Sequence, residues 1–126
     1  MTAADATLGK TILVVDDEAK MADLWRRKFE NEGYHVDVVH NGQEALDEMN
    51  VKIFDAILLD LFMPKKSGFD VLSERAKTKN SQSPVYVVTG SLRDEDVERA
   101  KELGAKEAFL KYRISPKDVV RAVKAG

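Results

Sequence analysis

Ile53-Phe54-Asp55-Ala56-Ile57-Leu58-Leu59-Asp60-Leu61-Phe62-Met63-Pro64 is the stretch on which the fold turns. Its apolar run climbs from Ile53 to Leu59 and stops at a carboxylate, Asp60. Ala56 to Leu59 shows no polar alternation, the pattern of a strand buried on both faces. Such strands occupy the centre of parallel sheets covered by helices. A carboxylate at the C-terminal end of one stands where open α/β sheets place their ligands. Pro64 and then Gly68 mark a short loop before the next element.

On either side of this stretch, strand and helix signals alternate. Thr11–Val15 is a β-branched run ending in Asp16-Asp17-Glu18. From Ala19 the period becomes helical, with Met21, Leu24, Trp25 and Phe29 apolar, until Gly33 stops it. Tyr34–Val39 alternates, as a strand at or near a sheet edge does. After the Asn41-Gly42 turn, Ala45, Leu46 and Met49 mark a short helix. The strand Ile53–Leu59 follows, then a helix over Gly68–Ala76 and a polar exit loop, Lys77–Ser83. Pro84–Val88 is the fourth strand, ending at Thr89-Gly90-Ser91. Val97, Ala100 and Leu103 predict a fourth helix that Gly104 stops. Ala105–Leu110 is the fifth strand and ends at Lys111. Ser115-Pro116-Lys117-Asp118 starts the last helix with a capping serine, a proline at the first helical position and an acid three residues after the cap. Val119, Val120 and Val123 then face the core.

Strand and helix repeated five times predict a parallel sheet with helices on both faces. Right-handed crossovers leave few topologies. The expected one is flavodoxin-like, with strand order 2-1-3-4-5 and its switch point between strands 1 and 3. The chain reads as one doubly wound (βα)5 α/β domain with a five-stranded parallel sheet over residues 10–126. A short flexible tail over 1–9 precedes it.

Composition narrows the functional classes. A length of 126 residues suits one domain, and 44% hydrophobic with 33% charged residues suits a soluble one. A net charge of -2 leaves no basic footprint for nucleic acid. No apolar stretch approaches the roughly 20 residues of a membrane span, and the N-terminus lacks the basic start and apolar core of a secretory signal. Without cysteine there is no disulfide framework and no thiolate chemistry. The expectation is a cytoplasmic protein with neither nucleic-acid nor membrane partners. His35 and His40 fall in or beside a strand and make a poor case for a histidine metal site.

In the expected topology, strands 1, 3, 4 and 5 end at one sheet edge, at Asp16-Asp17, Asp60, Thr89 and Lys111. Three carboxylates brought together repel and raise each other's pKa. Lys111 offsets part of that repulsion. A hard divalent cation would offset the rest, and carboxylate oxygens with room for water suit Mg²⁺. A carboxylate is also a nucleophile toward phosphorus, and phosphoryl transfer is chiefly positioning and charge stabilisation. Asp60, alone on the central strand, is the best-placed nucleophile, with Asp16 and Asp17 as metal ligands. Thr89 and Lys111 could each contact a phosphoryl oxygen. Taken singly these residues have ordinary roles: a helix cap for Asp16 or Asp17, a turn acid at Asp60, a structural Thr89, a solvated Lys111. Their arrival at one edge from four separate stretches favours chemistry.

Four segments carry a family likeness: V-V-D-D-E after the first strand, L-L-D-L-F-M-P-K-K-S-G around Asp60, V-V-T-G at Thr89, and G-A-K-E-A-F-L-K ending at Lys111. Together, in this order, they resemble the response-regulator receiver domain of two-component signalling. The resemblance implies a phosphorelay signalling domain, not an enzyme, whose Asp60 accepts a phosphoryl group from a sensor histidine kinase or phosphotransfer protein. It implies that Asp17 and Asp60 bind Mg²⁺, that Asp16 acts largely through a bound water, and that the backbone carbonyl of Phe62 completes the metal site. Thr89 would move toward the phosphoryl group and Lys111 would contact it. This would switch a face for a downstream protein, built by the fourth helix, fifth strand and fifth helix. Phe62 lies where side chains of the family influence the attack of water.

Two positions depart from the family pattern. Three residues before Lys111 the family usually has an aromatic that turns inward on activation; Ala108 stands there, and Phe109 points to the opposite side of the strand. The family usually follows its lysine with proline, often cis. Here Tyr112 follows, and cis is unfavourable by roughly 3 kcal/mol outside proline, so a rearranged loop with a trans bond is expected. These departures favour an alternative, a receiver-fold interaction module that does not switch; the complete acid–Thr–Lys set opposes it. A phosphohydrolase with an aspartate nucleophile would need a second acid where Phe62 stands. A flavin or nucleotide binder would need a glycine-rich amide cradle where Asp-Asp-Glu-Ala-Lys would repel phosphates.

Overall fold

The structure is a computed structural model that describes residues 9–90 and 93–126. Residues 1–8 of the expected tail over 1–9, and Ser91, lie outside the described residues. Strands β1 (Thr11–Val15), β2 (His35–Val39), β3 (Ala56–Leu59), β4 (Val85–Thr89) and β5 (Glu107–Leu110) alternate with five helices. These are α1 (Ala19–Asn31), α2 (Gly42–Val51), α3 (Gly68–Arg75), α4 (Asp94–Glu102) and α5 (Pro116–Ala125). The sheet is parallel throughout with strand order 2-1-3-4-5, as the alternating pattern predicts. Among the described residues no helix is long and apolar enough to cross a membrane.

Strand periodicity divides the core. Leu13, Val15, Ile57, Leu59, Val85 and Val87 face α2, α3 and α4. Ile12, Val14, Ala56, Leu58, Tyr86 and Val88 face α1 and α5, where Trp25, Phe29, Val119 and Val123 pack. Both faces of the central strands are therefore buried, which is why their sequences run apolar without alternation. β2 is an edge strand with partly exposed residues, consistent with its alternating sequence.

Strand boundaries differ from the sequence expectation where side chains or helix-exit turns take up backbone hydrogen bonds. The β3 ladder begins at Ala56, not Ile53. Phe54 N donates to Asn80 Oδ1 at 2.7 Å, and the Asp55 carboxylate accepts from Thr11 N at 2.8 Å, so Ile53 is left outside the sheet and exposed. Tyr34 N turns back to Phe29 O at the exit of α1, which delays β2 to His35. Ala105 N similarly returns to Ala100 O, and β5 starts at Glu107.

The segment Lys77–Ser83, expected as a plain exit loop, is braced from within. Asn80 is fully buried. Its Oδ1 accepts from Phe54 N and from Ser83 Oγ at 2.8 Å, and its Nδ2 donates to Met49 O and Lys52 O, each at 2.8 Å. Arg75 Nη1 donates to the carbonyls of Asn80, Ser81 and Ser83 at 3.2, 3.0 and 2.7 Å. One amide thus ties the end of α2, the entry to β3 and the approach to β4.

Gly68 fixes the loop after β3. Its N–H donates to Leu61 O at 2.8 Å. A Cβ there would lie 2.3 Å from the Asp60 carbonyl and 2.6 Å from Leu61 Cα, so this approach of α3 to the strand end requires glycine. Ser67 and Asp70 form a reciprocal capping box at the same helix start.

Candidate functional site

Register brings the acids together. Val15 of β1 lies opposite Leu59 of β3, so Asp16 and Asp60 leave adjacent strands at the same level. Each backbone is held there: Asp16 N donates to Val39 O at 3.2 Å, and Asp60 N donates to Val15 O at 3.0 Å. Lys111 N donates to Thr89 O at 2.7 Å, which brings the ends of β4 and β5 to the same edge. Carboxylate oxygens of Asp16, Asp17 and Asp60 lie within 4.8 Å of one another. Asp17 is exposed, whereas Asp16 and Asp60 are buried.

The Lys111 ammonium sits among these groups, 2.8 Å from Asp16 Oδ2, 3.0 Å from Glu18 Oε2 and 3.4 Å from Asp60 Oδ2. The second Asp16 oxygen accepts from Glu18 N at 2.9 Å, and Asp60 Oδ1 accepts from Phe62 N at 3.3 Å. Thr89 is buried beside them; its hydroxyl lies close enough to Asp60 to lower the pKa of that carboxyl without completing a well-formed hydrogen bond. A cleft of about 280 Å³ opens above, bounded by Asp17, Glu18, Asp60, Phe62, Thr89 and Lys111, among others. Trp25, with Val14, Leu58 and Val88, closes the space beneath Asp16 and Asp60. The edge of the sheet thus holds every residue expected to meet there.

Burial is the leading electrostatic effect. It pushes the carboxyls of Asp16 and Asp60 above their ordinary range, with Lys111 opposing in both cases. The charge of Asp16 raises Asp60 further, so the anticipated carboxylate repulsion is present but subordinate. Burial works against the Lys111 ammonium too. The hydrogen bond to Asp16 and the charge of Asp60 outweigh it, and the lysine pKa is raised.

Glu18 and Tyr112 also take part in the site. The Tyr112 hydroxyl donates to Glu18, 2.9 Å from Oε1 and 2.7 Å from Oε2. It and Lys111 hold the Glu18 carboxyl below its usual range. Tyr112 has a φ of 68°, the left-handed region that a bulky residue seldom occupies. There is no cis peptide among the described residues, so the bond from Lys111 to Tyr112 is trans, as expected. Ala108 lies on the α4 side of the sheet and Phe109 on the α5 side, also as expected. Phe62 is about half exposed and meets Phe69 edge to face, with ring centroids 6.0 Å apart.

Comparison with known proteins places this geometry. The model of the response regulator receiver domain matches residues 12–124. The transcriptional regulatory protein CpxR of Escherichia coli K12 is 36% identical over 114 residues, a match covering 90% of this chain and 47% of that protein. The chain thus spans about half the length of this curated relative. Among solved structures, a CheY-like receiver domain protein from Methanospirillum hungatei JF-1 has 26% identity and a TM-score of 0.87, with 93% of this chain and 92% of that one covered. A response regulator from Burkholderia pseudomallei, solved with a phosphorylated aspartic acid, calcium ion and citrate, has 26% identity and a TM-score of 0.82 over 90% of this chain and 66% of that one. With the acid cluster in place and the family model spanning nearly all of its length, the chain belongs to the response regulator receiver domain family, whose function is phosphoaccepting signalling.

Proposed function

We propose that Asp60 is the phosphoacceptor of a cytoplasmic receiver domain over residues 10–126, served by a sensor histidine kinase or phosphotransfer protein. A carboxylate oxygen of Asp60 attacks phosphorus as the N–P bond of a phosphohistidine breaks. The bonding pair stays on the imidazole, which takes a proton from solvent. The observation that carries the reading is the convergence of Lys111, 3.4 Å from Asp60, and the buried Thr89 hydroxyl, which faces Asp60 without a well-formed bond, on one cleft. The ammonium offsets charge on the transferred group and the hydroxyl supplies a donor beside Asp60. These residues do not form a nest of backbone amides or a second-acid arrangement, so a nucleotide binder and an aspartate phosphohydrolase both fit less well.

The donor set fits Mg²⁺: three carboxylates with close oxygens, one of them exposed and open to water. Asp17 and Asp60 would hold the ion together with the backbone carbonyl of Phe62. Both Asp16 oxygens already have partners, Lys111 and Glu18 N, which favours a water-mediated role for Asp16. When bound, the ion would neutralise charge on the phosphoryl oxygens. The downstream face is assigned to α4, β5 and α5. Ala108 offers no aromatic to couple it to Thr89, so movement of the Thr89 segment must carry the signal, or the domain does not switch.

Intact-mass spectrometry with acetyl phosphate and Mg²⁺ tests the chemistry. One added phosphoryl group is expected on the parent and none on Asp60→Asn or without Mg²⁺. If a kinase donor and acetyl phosphate both left the parent unmodified, and fluoroberyllate failed to bind, the non-switching module would be the better reading. Phe62 bears on the lifetime of the adduct. Its ring stands on the cleft wall against Phe69 and screens the approach of water. Phe62→Asn should hydrolyse about fivefold faster, the effect of lowering the barrier by about 1 kcal/mol; a decay no faster than the parent's would remove that role.

A further inference from the structure

An ammonium has three hydrogens to donate, and in this structure three carboxylates surround Lys111 at bonding distance. A phosphoryl oxygen on Asp60 would compete with these contacts for the ammonium. Asp16 is buried and holds the shortest one. Asp60 is the group being modified. Glu18 is the third, half exposed at the rim of the cleft.

Glu18 does not stand alone. The Tyr112 hydroxyl reaches both of its oxygens, across 94 residues of sequence, and bridges the loop after β1 to the loop after β5. Tyr112 makes this contact from a left-handed backbone conformation, one that costs of order 1–3 kcal/mol and persists only where other interactions hold it. Backbone bonds from Arg113 N and Ile114 N to Leu110 O, each at 3.2 Å, close the turn around it, and the largely exposed side chain presents its hydroxyl to Glu18.

We propose that Glu18 and Tyr112 are positioning residues forming a latch on Lys111. Glu18 competes with the phosphoryl group for the ammonium, and Tyr112 keeps Glu18 where it can compete. The latch sets how readily the site accepts a phosphoryl group or its analogue. The inference rests on the reading of Asp60 as phosphoacceptor and adds two residues to the same site.

Fluoroberyllate binding at saturating Mg²⁺ tests it apart from turnover and apart from any change in metal affinity. Glu18→Gln should bind the analogue about tenfold tighter, the scale of one charge-assisted hydrogen bond no longer in competition. Tyr112→Phe keeps every formal charge and the ring, and should tighten binding about threefold by releasing Glu18. The double variant should match Glu18→Gln alone, because Tyr112 acts only through Glu18. Overturning results are Tyr112→Phe indistinguishable from the parent, weaker binding by Glu18→Gln, or a double variant whose effects multiply. A simple loss of negative charge would move Glu18→Gln and leave Tyr112→Phe unchanged, and so counts against the latch. A parent that binds no better than Asp60→Asn would overturn the phosphoacceptor reading itself, and the latch with it.

Discussion

Asn80→Ala should cost the fold about 4 kcal/mol, since each of four hydrogen bonds contributes about 1 kcal/mol. The substitution strands Phe54 N–H, the Ser83 hydroxyl and the carbonyls of Met49 and Lys52. All of this lies in a site with no solvent exposure at Asn80, where water cannot easily substitute. Urea denaturation should show a lower midpoint with an unchanged slope. Asn80→Asp separates polarity from volume. It preserves the two accepted bonds but turns a carboxylate oxygen toward two carbonyls, so at neutral pH it should be no more stable than the alanine variant. A loss below about 1 kcal/mol in either would show that the loop is not braced through this amide. The network lies at the opposite end of the sheet from Asp60. Folded Asn80→Ala should therefore still accept a phosphoryl group.

Lys111→Met is expected to destabilise the chain by about 3 kcal/mol at neutral pH, the scale of leaving buried charges without their partner. Lys111, Asp16 and Asp60 are all nearly inaccessible to solvent, so screening does not rescue the pair. The sign of the pH dependence follows from linkage. Burial already raises the pKa of Asp16 and Asp60 above the unfolded value, and removing Lys111 raises both further. Between the unfolded and folded values the native state then binds more protons than the unfolded chain, so stability falls as pH rises. The deficit of the variant relative to the parent should be greatest above the raised carboxyl values and shrink as pH drops toward the unfolded one. A deficit that is the same at pH 5 and pH 8 would mean that packing, not unpaired carboxylates, explains it.

The parts of this fold that were legible in the sequence are those with local causes. Ala56–Leu59 is apolar without alternation because both sheet faces are covered, and that alone identifies a central parallel strand. Asp16, Asp17, Asp60, Thr89 and Lys111 were found because each ends a strand, and the topology sends those ends to one edge. The features that escaped involve partners far apart in the chain. Asn80 looks like an ordinary polar loop residue, and nothing near it announces that it accepts from Phe54 N, 26 positions away. The contact between Glu18 and Tyr112 is formed by residues that are exposed or partly so, which leave no hydrophobic signature. The β3 ladder starts three residues after the apolar run does for the same reason: side chains of Asn80 and Asp55, not the local pattern, decide where it begins.

The floor of the cleft has a practical consequence. Trp25 is the single tryptophan of the chain, and it is packed under Asp16 and Asp60 together with Val14 and Val88. Indole emission responds to nearby charge, so one native chromophore views the carboxylates from below with no competing signal of its kind. Occupancy of the site by an ion or a phosphoryl analogue is therefore expected to shift the emission of the unlabelled protein, and an unchanged spectrum would show that the indole does not sense the charge above it.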